Sequence, residues 1–316
     1  MNMDISVVIV GWNAKPYLEL CLESLEAAPP RRSMEVFVVD NDSSDGSAEM
    51  IESRFPWVKL IRSKENLGFA KGNNVALRQC QGRHICLVNP DVRVFPGCLD
   101  ALSDFLDENP KVGFAGPRVF NADMTQQVTC RHFPTLWNNF CSATKLAGMF
   151  KKSRFLTGEQ MFYFPHDRTL AVDVLGGCFL MVRREAFDAV GLMDEGFYMY
   201  GDDLDWCRRC WNAGWQVVFF PGAKAIHDNG AITKPYPVRF AVAQQRSILY
   251  YWMKYHGPLG RCGISAILFS HHILRYLVGQ LSRIRRAPGL QQIDARIQVA
   301  KACLRALFSE GAPHRA

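Results

Sequence analysis

Short apolar runs alternate with segments of helical periodicity along the first third of the chain. The runs "ISVVIV" (Ile5 to Val10), "EVFVV" (Glu35 to Val39), "VKLI" (Val58 to Ile61) and "HICLV" (His84 to Val88) are rich in β-branched residues and bounded by turn formers, which predicts strands. Between them, Lys15 to Ala27, Ser47 to Arg54 and Lys71 to Gln79 predict helices. Such alternation implies an α/β fold, a mostly parallel sheet with helices on both faces, and ligands bound beyond the carboxyl ends of the strands.

Those strand ends are polar. The first runs into Gly11-Trp12-Asn13, the second into "DNDSSDGS" from Asp40, and the fourth into Asn89-Pro90-Asp91. Turn chemistry alone accounts for any one of them, because Asn, Asp, Ser and Gly favour turns. Three together place amides and carboxylates at one sheet edge and predict a site. No Gly-x-Gly-x-x-Gly follows the first strand and no P-loop signature occurs, so a nucleotide bound here is held in another way.

Composition adds a folded chain and a basic end. With 316 residues, 48% hydrophobic and 21% charged, the chain can bury a full core. From Lys254 onward ten Lys/Arg stand against two acids, a balance of +8, which leaves −1 of the total +7 to the residues before it. The start, "MNMDISVVIVGWN", reads as a buried strand and not as a signal peptide. Eleven scattered cysteines fit reduced, packed thiols, so a cytoplasmic protein is expected. The one Cys-x-x-Cys, Cys207 to Cys210, lacks a second pair, which favours packed thiols over zinc.

The blocks "SVVIVGWN", "VVDNDSSDGS", "NLGFAKGNNVAL", "LVNPDV" and "GGCFLMVRREAFDAVGLMDEGFYMYGDDLDWCRRCWNAGWQVVFFPGAKAIH" resemble the family-2 glycosyltransferases of the GT-A fold, in particular their rhamnosyltransferase-like branch. The resemblance implies a GT-A, Rossmann-like catalytic domain over residues 1–234; residues 235–316 lie beyond it and are expected, from their own charge and periodicity, to form a basic helical region that associates with a membrane. It implies that Asp40 contacts the nucleotide base, with Asn13 and Asn41 nearby; an Asx turn is the alternative for Asp40. In "NLGFAKGNN" it places Gly68 and Asn73 against a diphosphate, at a helix beginning near Ala70 whose free N–H groups face the anion.

The family's general Asp-x-Asp metal motif is here Asn89-Pro90-Asp91, with Asp91 its only carboxylate and Asn89 beside the donor. Magnesium suits such a site, since it keeps waters and takes one or two carboxylates plus phosphate oxygens; manganese remains open. His227, in "PGAKAIHD", resembles the family's late histidine near the metal, against the alternative of a packed histidine.

In "YGDDLDWCRR" relatives usually read Glu-Asp-x-Asp, so Asp202 replaces the glutamate and Asp203 falls on the expected general base. If a helix starts there, Asp202 suits an N-cap, Asp205 pairs with Arg208 and Arg209, and the positive helix end favours charge on Asp203. Gly176, Gly177, Tyr200, Asp202 and Trp206 are then expected around the donor or acceptor sugar, with core packing the alternative for the two aromatics.

The tail carries two apolar segments. Gly263 to Leu281 contains His271, His272 and Arg275, which argues against a clean membrane span. Leu290, Ile293, Ile297, Ala300, Leu304 and Leu307 recur at helical spacing beside basic residues, the pattern of a helix lying in an anionic membrane surface; helices docked on the enzyme are the alternative.

The resemblance thus implies an inverting, metal-dependent glycosyltransferase at the inner face of the cell membrane. It moves a sugar, favoured as rhamnose from dTDP-rhamnose with UDP-hexoses open, to a glycan acceptor linked to polyprenyl diphosphate, in surface polysaccharide synthesis. A nucleotide-sugar-binding protein without turnover is the alternative. No nucleic-acid partner is expected, since few aromatics interleave the basic tail. Oligomeric state is left open.

Overall fold

The computed structural model describes residues 3–285 and 288–308. Its backbone forms two compact units, one of 1–133, 164–195 and 202–232, the other of 134–163, 196–201 and 233–316. Besides the residues from 233 onward, the second unit gathers two earlier segments, so these units are not simply the stretches before and after residue 234.

The first unit contains β1 (Ile5–Gly11), α1 (Lys15–Ala27), β2 (Met34–Asp40), α2 (Ser47–Arg54), β3 (Lys59–Arg62), α3 (Gly68–Leu77), β4 (His84–Val88), β5 (Val92–Val94), α4 (Cys98–Glu108), β6 (Val112–Phe120) and β7 (Cys130–Arg131). The second unit interposes α5 (Leu136–Ala143) and α6 (Leu146–Met149), after which the first resumes with β8 (Leu170–Ala171), β9 (Val174–Leu175), β10 (Phe179–Arg183), α7 (Arg184–Val190), α8 (Asp202–Asn212) and β11 (Gln216–His227). α9 (Pro237–Ile284) and α10 (Leu290–Phe308) complete the second unit.

The main sheet runs β3-β2-β1-β4-β10-β6-β11-β5, with β8 beside β11. β3, β2, β1 and β4 are parallel, as the strand–helix alternation predicts. All seven residues of β1 are buried, because both sheet faces are covered. Ile5, Val7 and Ile9 enter the core that also contains Leu18 and Leu22 of α1. The intervening residues face the other way, where α3 approaches so closely that a Cβ on Gly72 would lie 3.0 Å from Val10 Cγ1.

Two features exceed the simple alternation. β10 enters antiparallel between β4 and β6, pairing Phe179 with Val88, and this brings the preceding glycines to the polar strand ends. β7 and β9 form a separate two-stranded ribbon, with Cys130 opposite Leu175 and Arg131 opposite Val174.

In the second unit, Thr135 caps α5 through a reciprocal box with Asn138. α5 belongs with α9: His271 Nδ1 donates to the Ala143 carbonyl at 2.8 Å, and Gly263 leaves room for Leu136. α9 breaks at Gly257, with φ 64°, followed by Pro258. Part of the α10 stripe proposed for a membrane surface faces α9: Ile293, Ile297 and Ala300 are buried, and Ile297 fills the space over Gly279. Leu290 stays exposed, and Leu304 and Leu307 are half-buried. Arg286, Glu310 and Arg315 of the basic tail lie outside the described residues.

Candidate active site

The parallel register puts Gly11 opposite Asp40, so β1 and β2 end together. Asn13 follows with φ 48°; its Oδ1 accepts from the Ser44 amide at 2.8 Å and its own N–H donates to Ser43 Oγ at 3.0 Å. These bonds fold "DNDSS" over the edge. Asp40 is buried, its Oδ2 only 3.4 Å from the Ser43 amide, and its Oδ1 has no partner. Burial raises its pKa above the ordinary carboxylate value, against the opposing pull of Ser43. A base N–H would supply the missing donor.

Three expected donor contacts have internal work instead. Asn41 Oδ1 accepts from Leu67 N at 2.8 Å, and its Nδ2 donates to Asn66 Oδ1 and the Gly68 carbonyl. Asn66 Oδ1 also accepts from Gly68 N at 3.0 Å, where φ is 76°. Asn41 and Asn66 thus satisfy the first amides of α3, which starts at Gly68 and not near Ala70, so the Gly68 N–H is not open to a diphosphate. Asn73 is buried and donates to the Phe69 carbonyl one turn back.

After β4, Asn89 Oδ1 and Asp91 Oδ1 are buried without hydrogen-bond partners. His227, the last residue of β11, pairs in the sheet with Val92, which carries its ring to Asp91. His227 Nε2 lies 3.2 Å from Asp91 Oδ1, near enough for an ion pair but not aligned as a hydrogen bond. Its Nδ1 donates to Gln127 Oε1 at 2.8 Å, and Gln127 Nε2 donates to Asn121 Oδ1 at 2.8 Å. Gln127 therefore orients the ring and leaves Nε2 toward Asp91. Burial opposes protonation of His227, but Cys178 and the Asp91 carboxylate outweigh it and raise the ring pKa to about 10. Among the described residues no cluster of three His, Cys, Asp or Glu side chains is placed to hold a metal. One carboxylate and one imidazole nevertheless fit a cation whose other ligands are water and phosphate.

α8 opens with the three aspartates. Asp202 is its first residue, fully enclosed, and its pKa is raised to about 8 by burial and then by Asp203. It is neither an exposed N-cap nor a lining residue of a sugar pocket. Asp205 is buried and takes Arg209 Nε at 2.8 Å, while Arg208 turns its guanidinium over Phe133. Trp206 is wholly buried against Phe114 and Phe187, with Nε1 bonded to the Gly191 carbonyl, so no ring face is left for a sugar. Tyr200 falls in the second unit, its ring edge toward Phe240.

Asp203 remains partly exposed. Its Oδ2 accepts from the Gly177 amide at 3.0 Å and from Arg131, and its Oδ1 accepts from Leu204 N at 2.8 Å. A Cβ on Gly177 would stand 3.1 Å from Asp203 Cβ, so a side chain there would push Asp203 by a few tenths of an ångström. Gly176 N donates to the Thr129 carbonyl at 2.8 Å, and the Cys178 carbonyl accepts from Asn89 N at 2.8 Å. The strip from Gly176 to Cys178 thereby ties the carboxylate of α8 to the end of β4. Sequence reasoning missed Gln127, Thr129 and Arg131; their signal is the alternation of "QVTCR", which sets these three on one side and Val128 and Cys130 on the other.

The profile described as Glycosyl transferase family 2 matches residues 6–191. An N-acetylglucosaminyl-diphospho-decaprenol L-rhamnosyltransferase of Mycobacterium tuberculosis is 30% identical over 91% of this chain and 96% of its own. A dTDP-rhamnosyl transferase of Shigella flexneri is 29% identical over 73% of this chain and 71% of its own. Among solved structures, the mannosyltransferase of Pyrobaculum calidifontis in complex with GDP-Man and Mn2+ superposes with a TM-score of 0.57 at 16% identity, covering 98% of this chain and 89% of that one. GalNAc-T7 with UDP, GalNAc and Mn2+ gives 0.57 at 15% identity, over 81% of this chain and 51% of that one. These two likenesses concern the fold and bear out the GT-A architecture.

Proposed function

The chain belongs to glycosyl transferase family 2, and on that premise we propose that it transfers rhamnose from dTDP-rhamnose to a sugar attached directly to a polyprenyl diphosphate, in the building of a surface polysaccharide. The observation that carries this reading is its 30% identity, over nearly the whole of both chains, with an enzyme named for that kind of acceptor and that sugar. The orphaned acceptors Asp40 Oδ1 and Asn89 Oδ1, at the ends of the two strands that flank β1, suit a nucleotide donor.

In the proposed reaction Asp203 accepts the proton of an acceptor hydroxyl. That oxygen's electron pair forms the new bond to the anomeric carbon as the bond to the nucleoside diphosphate breaks, its pair leaving with the phosphate. A single displacement inverts the anomeric centre. Mg2+ or Mn2+ held by Asp91 and His227 would neutralise the departing diphosphate.

Peripheral attachment at the cytoplasmic membrane face is part of this proposal. The apolar surface that supports it lies in the second unit, chiefly on α5, on the loop after α6 and on α9. Trp137 and Phe140 of α5 stack at 5.7 Å, and Phe155, 68% exposed, joins them, with Lys151, Lys152 and Arg154 in the same stretch. Beyond the kink, Leu274, Leu277, Leu281 and Ile284 make an exposed stripe on α9, interrupted by Arg275 and Arg283. α9 is the one described helix long and apolar enough to cross a bilayer, but its partners α5 and α10 favour attachment in the headgroup region.

The test is a calorimetric panel of nucleotide sugars followed by transfer to a prenyl-diphosphate-linked N-acetylhexosamine. Binding and transfer of dTDP-rhamnose are expected. Preference for another nucleotide sugar would replace the donor, and donor binding without transfer to any acceptor would leave a binding protein.

A further inference from the structure

Asp203 is the residue read here as the base, yet the oxygen it turns away from its own helix is already engaged. Oδ2 receives both the Gly177 amide and the Arg131 guanidinium, while Oδ1 receives Leu204 N. A carboxylate oxygen has two lone-pair sites, so Oδ2 has none left for an acceptor hydroxyl. One donor must move before Oδ2 takes a proton; Oδ1 keeps one lone-pair site but is turned to its own helix by the Leu204 N–H. The Gly177 amide is fixed in the backbone beside Asn89 and Thr129, whereas Arg131 is a long side chain on a two-residue strand and only partly buried. Arg131 is the movable donor.

The destination of that guanidinium follows from the acceptor. In a sugar attached directly to a polyprenyl diphosphate, the reacting hydroxyl and the phosphate lie on one ring, so a hydroxyl at Asp203 brings phosphate oxygens close to Arg131. Guanidinium matches phosphate through paired, charge-assisted hydrogen bonds. Resting on the proposed function, we infer that Arg131 is an acceptor-sensing positioning residue: it covers Asp203 Oδ2 in the free enzyme and transfers its hydrogen bonds to the acceptor diphosphate, uncovering the base only when a diphosphate-linked acceptor is in place. The enclosed neighbour Asp202 cannot replace it, since it offers no cation.

This assigns Arg131 a role in discriminating the acceptor sugar from water and from neutral glycosides. The experiment compares two acceptors carrying the same sugar, a short-chain prenyl diphosphate and an octyl glycoside, with the parent, Arg131→Gln and Arg131→Lys. Donor affinity by calorimetry checks that each variant folds. The parent is expected to prefer the diphosphate acceptor. Arg131→Gln should lose about 10- to 100-fold in kcat/KM on it, the range for a lost charged hydrogen bond, while its kcat/KM on the octyl glycoside rises, since no diphosphate is needed there to uncover the base. Acceptor-free donor hydrolysis should rise in Arg131→Gln because the base is uncovered. Arg131→Lys, which keeps charge without the fork, should recover part of the preference.

Equal losses on both acceptors would reduce Arg131 to a support for Asp203 and overturn the inference. So would a parent that uses the octyl glycoside as well as the diphosphate, although that result leaves the transferase reading intact. A parent that consumes donor with neither acceptor would sink the transferase reading, and the inference with it.

Discussion

At the strand ends of the first unit Asp40 and Asn89 each keep a buried acceptor atom without a donor, whereas the open features of the second unit are apolar side chains such as Met149, Phe155 and Ile284 in water. The two regions carry opposite costs. A buried unpaired acceptor gives up its hydration, and an exposed phenylalanine or leucine orders water that burial would release. The first is relieved by a ligand bearing N–H groups or a cation, the second by a lipid-like surface. Changes in the first region should therefore stop chemistry while sparing attachment, and changes in the second should do the reverse.

The largest expected separation comes from Asp203→Asn, which should cut turnover by about two or more orders of magnitude with donor affinity kept. Parental turnover in that variant would move the base elsewhere. Asp91→Ala should abolish the metal-dependent part of donor binding, and Gln127→Leu should weaken metal affinity by about 10- to 100-fold through loss of the His227 orientation. Titrating Mn2+ into each variant with the nucleotide present reads both effects, and a Gln127→Leu curve that overlays the parent's would remove His227 from the metal site.

In the second unit, a Trp137→Ser, Phe155→Ser pair should lower co-sedimentation with anionic vesicles by about tenfold or more, given the apolar area withdrawn, and leave donor binding alone. Salt should weaken the parent's binding. Equal sedimentation would shift attachment to the α9 stripe. The smallest effect is on stability: because Asp202 holds its proton up to about 8 in the fold, the folded state binds more protons than the unfolded chain between that value and the ordinary carboxylate range. Stability then falls as pH rises through this window. Asp202→Asn, which cannot ionise, should melt a few degrees higher than the parent at pH 7.5 and level with it at pH 3. A difference that persists at acid pH would assign the effect to packing.

The inner strands of the parallel half of the sheet were legible because β1, β2 and β4 are buried on both faces and write nearly continuous apolar runs; "HICLV" marks β4 to the residue. Helices α1 and α2 likewise match their periodic stretches. Asp91, His227 and Asp203 were named through the resemblance, and pairing of β11 with β5 is what brings His227 to Asp91 across so long a stretch of sequence. What failed has a common cause. Asn41, Asn73, Asp202 and Trp206 lie inside the expected blocks, but a polar or aromatic side chain in a motif serves the loop or core as readily as a ligand, and only three-dimensional partners distinguish them. The α10 stripe was open to two readings for a similar reason, since an amphipathic helix shows the same spacing whether it faces lipid or another helix, and here Ile293, Ile297 and Ala300 pack on α9 while Leu290 is exposed.

The closeness of Gly177 to Asp203 also limits how this chain can drift. A side chain there displaces the carboxylate by tenths of an ångström without touching any substrate, and misplacement on that scale is costly to a positioned base. In a library of random substitutions the position should tolerate only glycine under selection for transfer, yet accept alanine under selection for folding alone. The mutational record of this enzyme would then mark as indispensable a residue with no side chain, and its intolerance would report the position of the base.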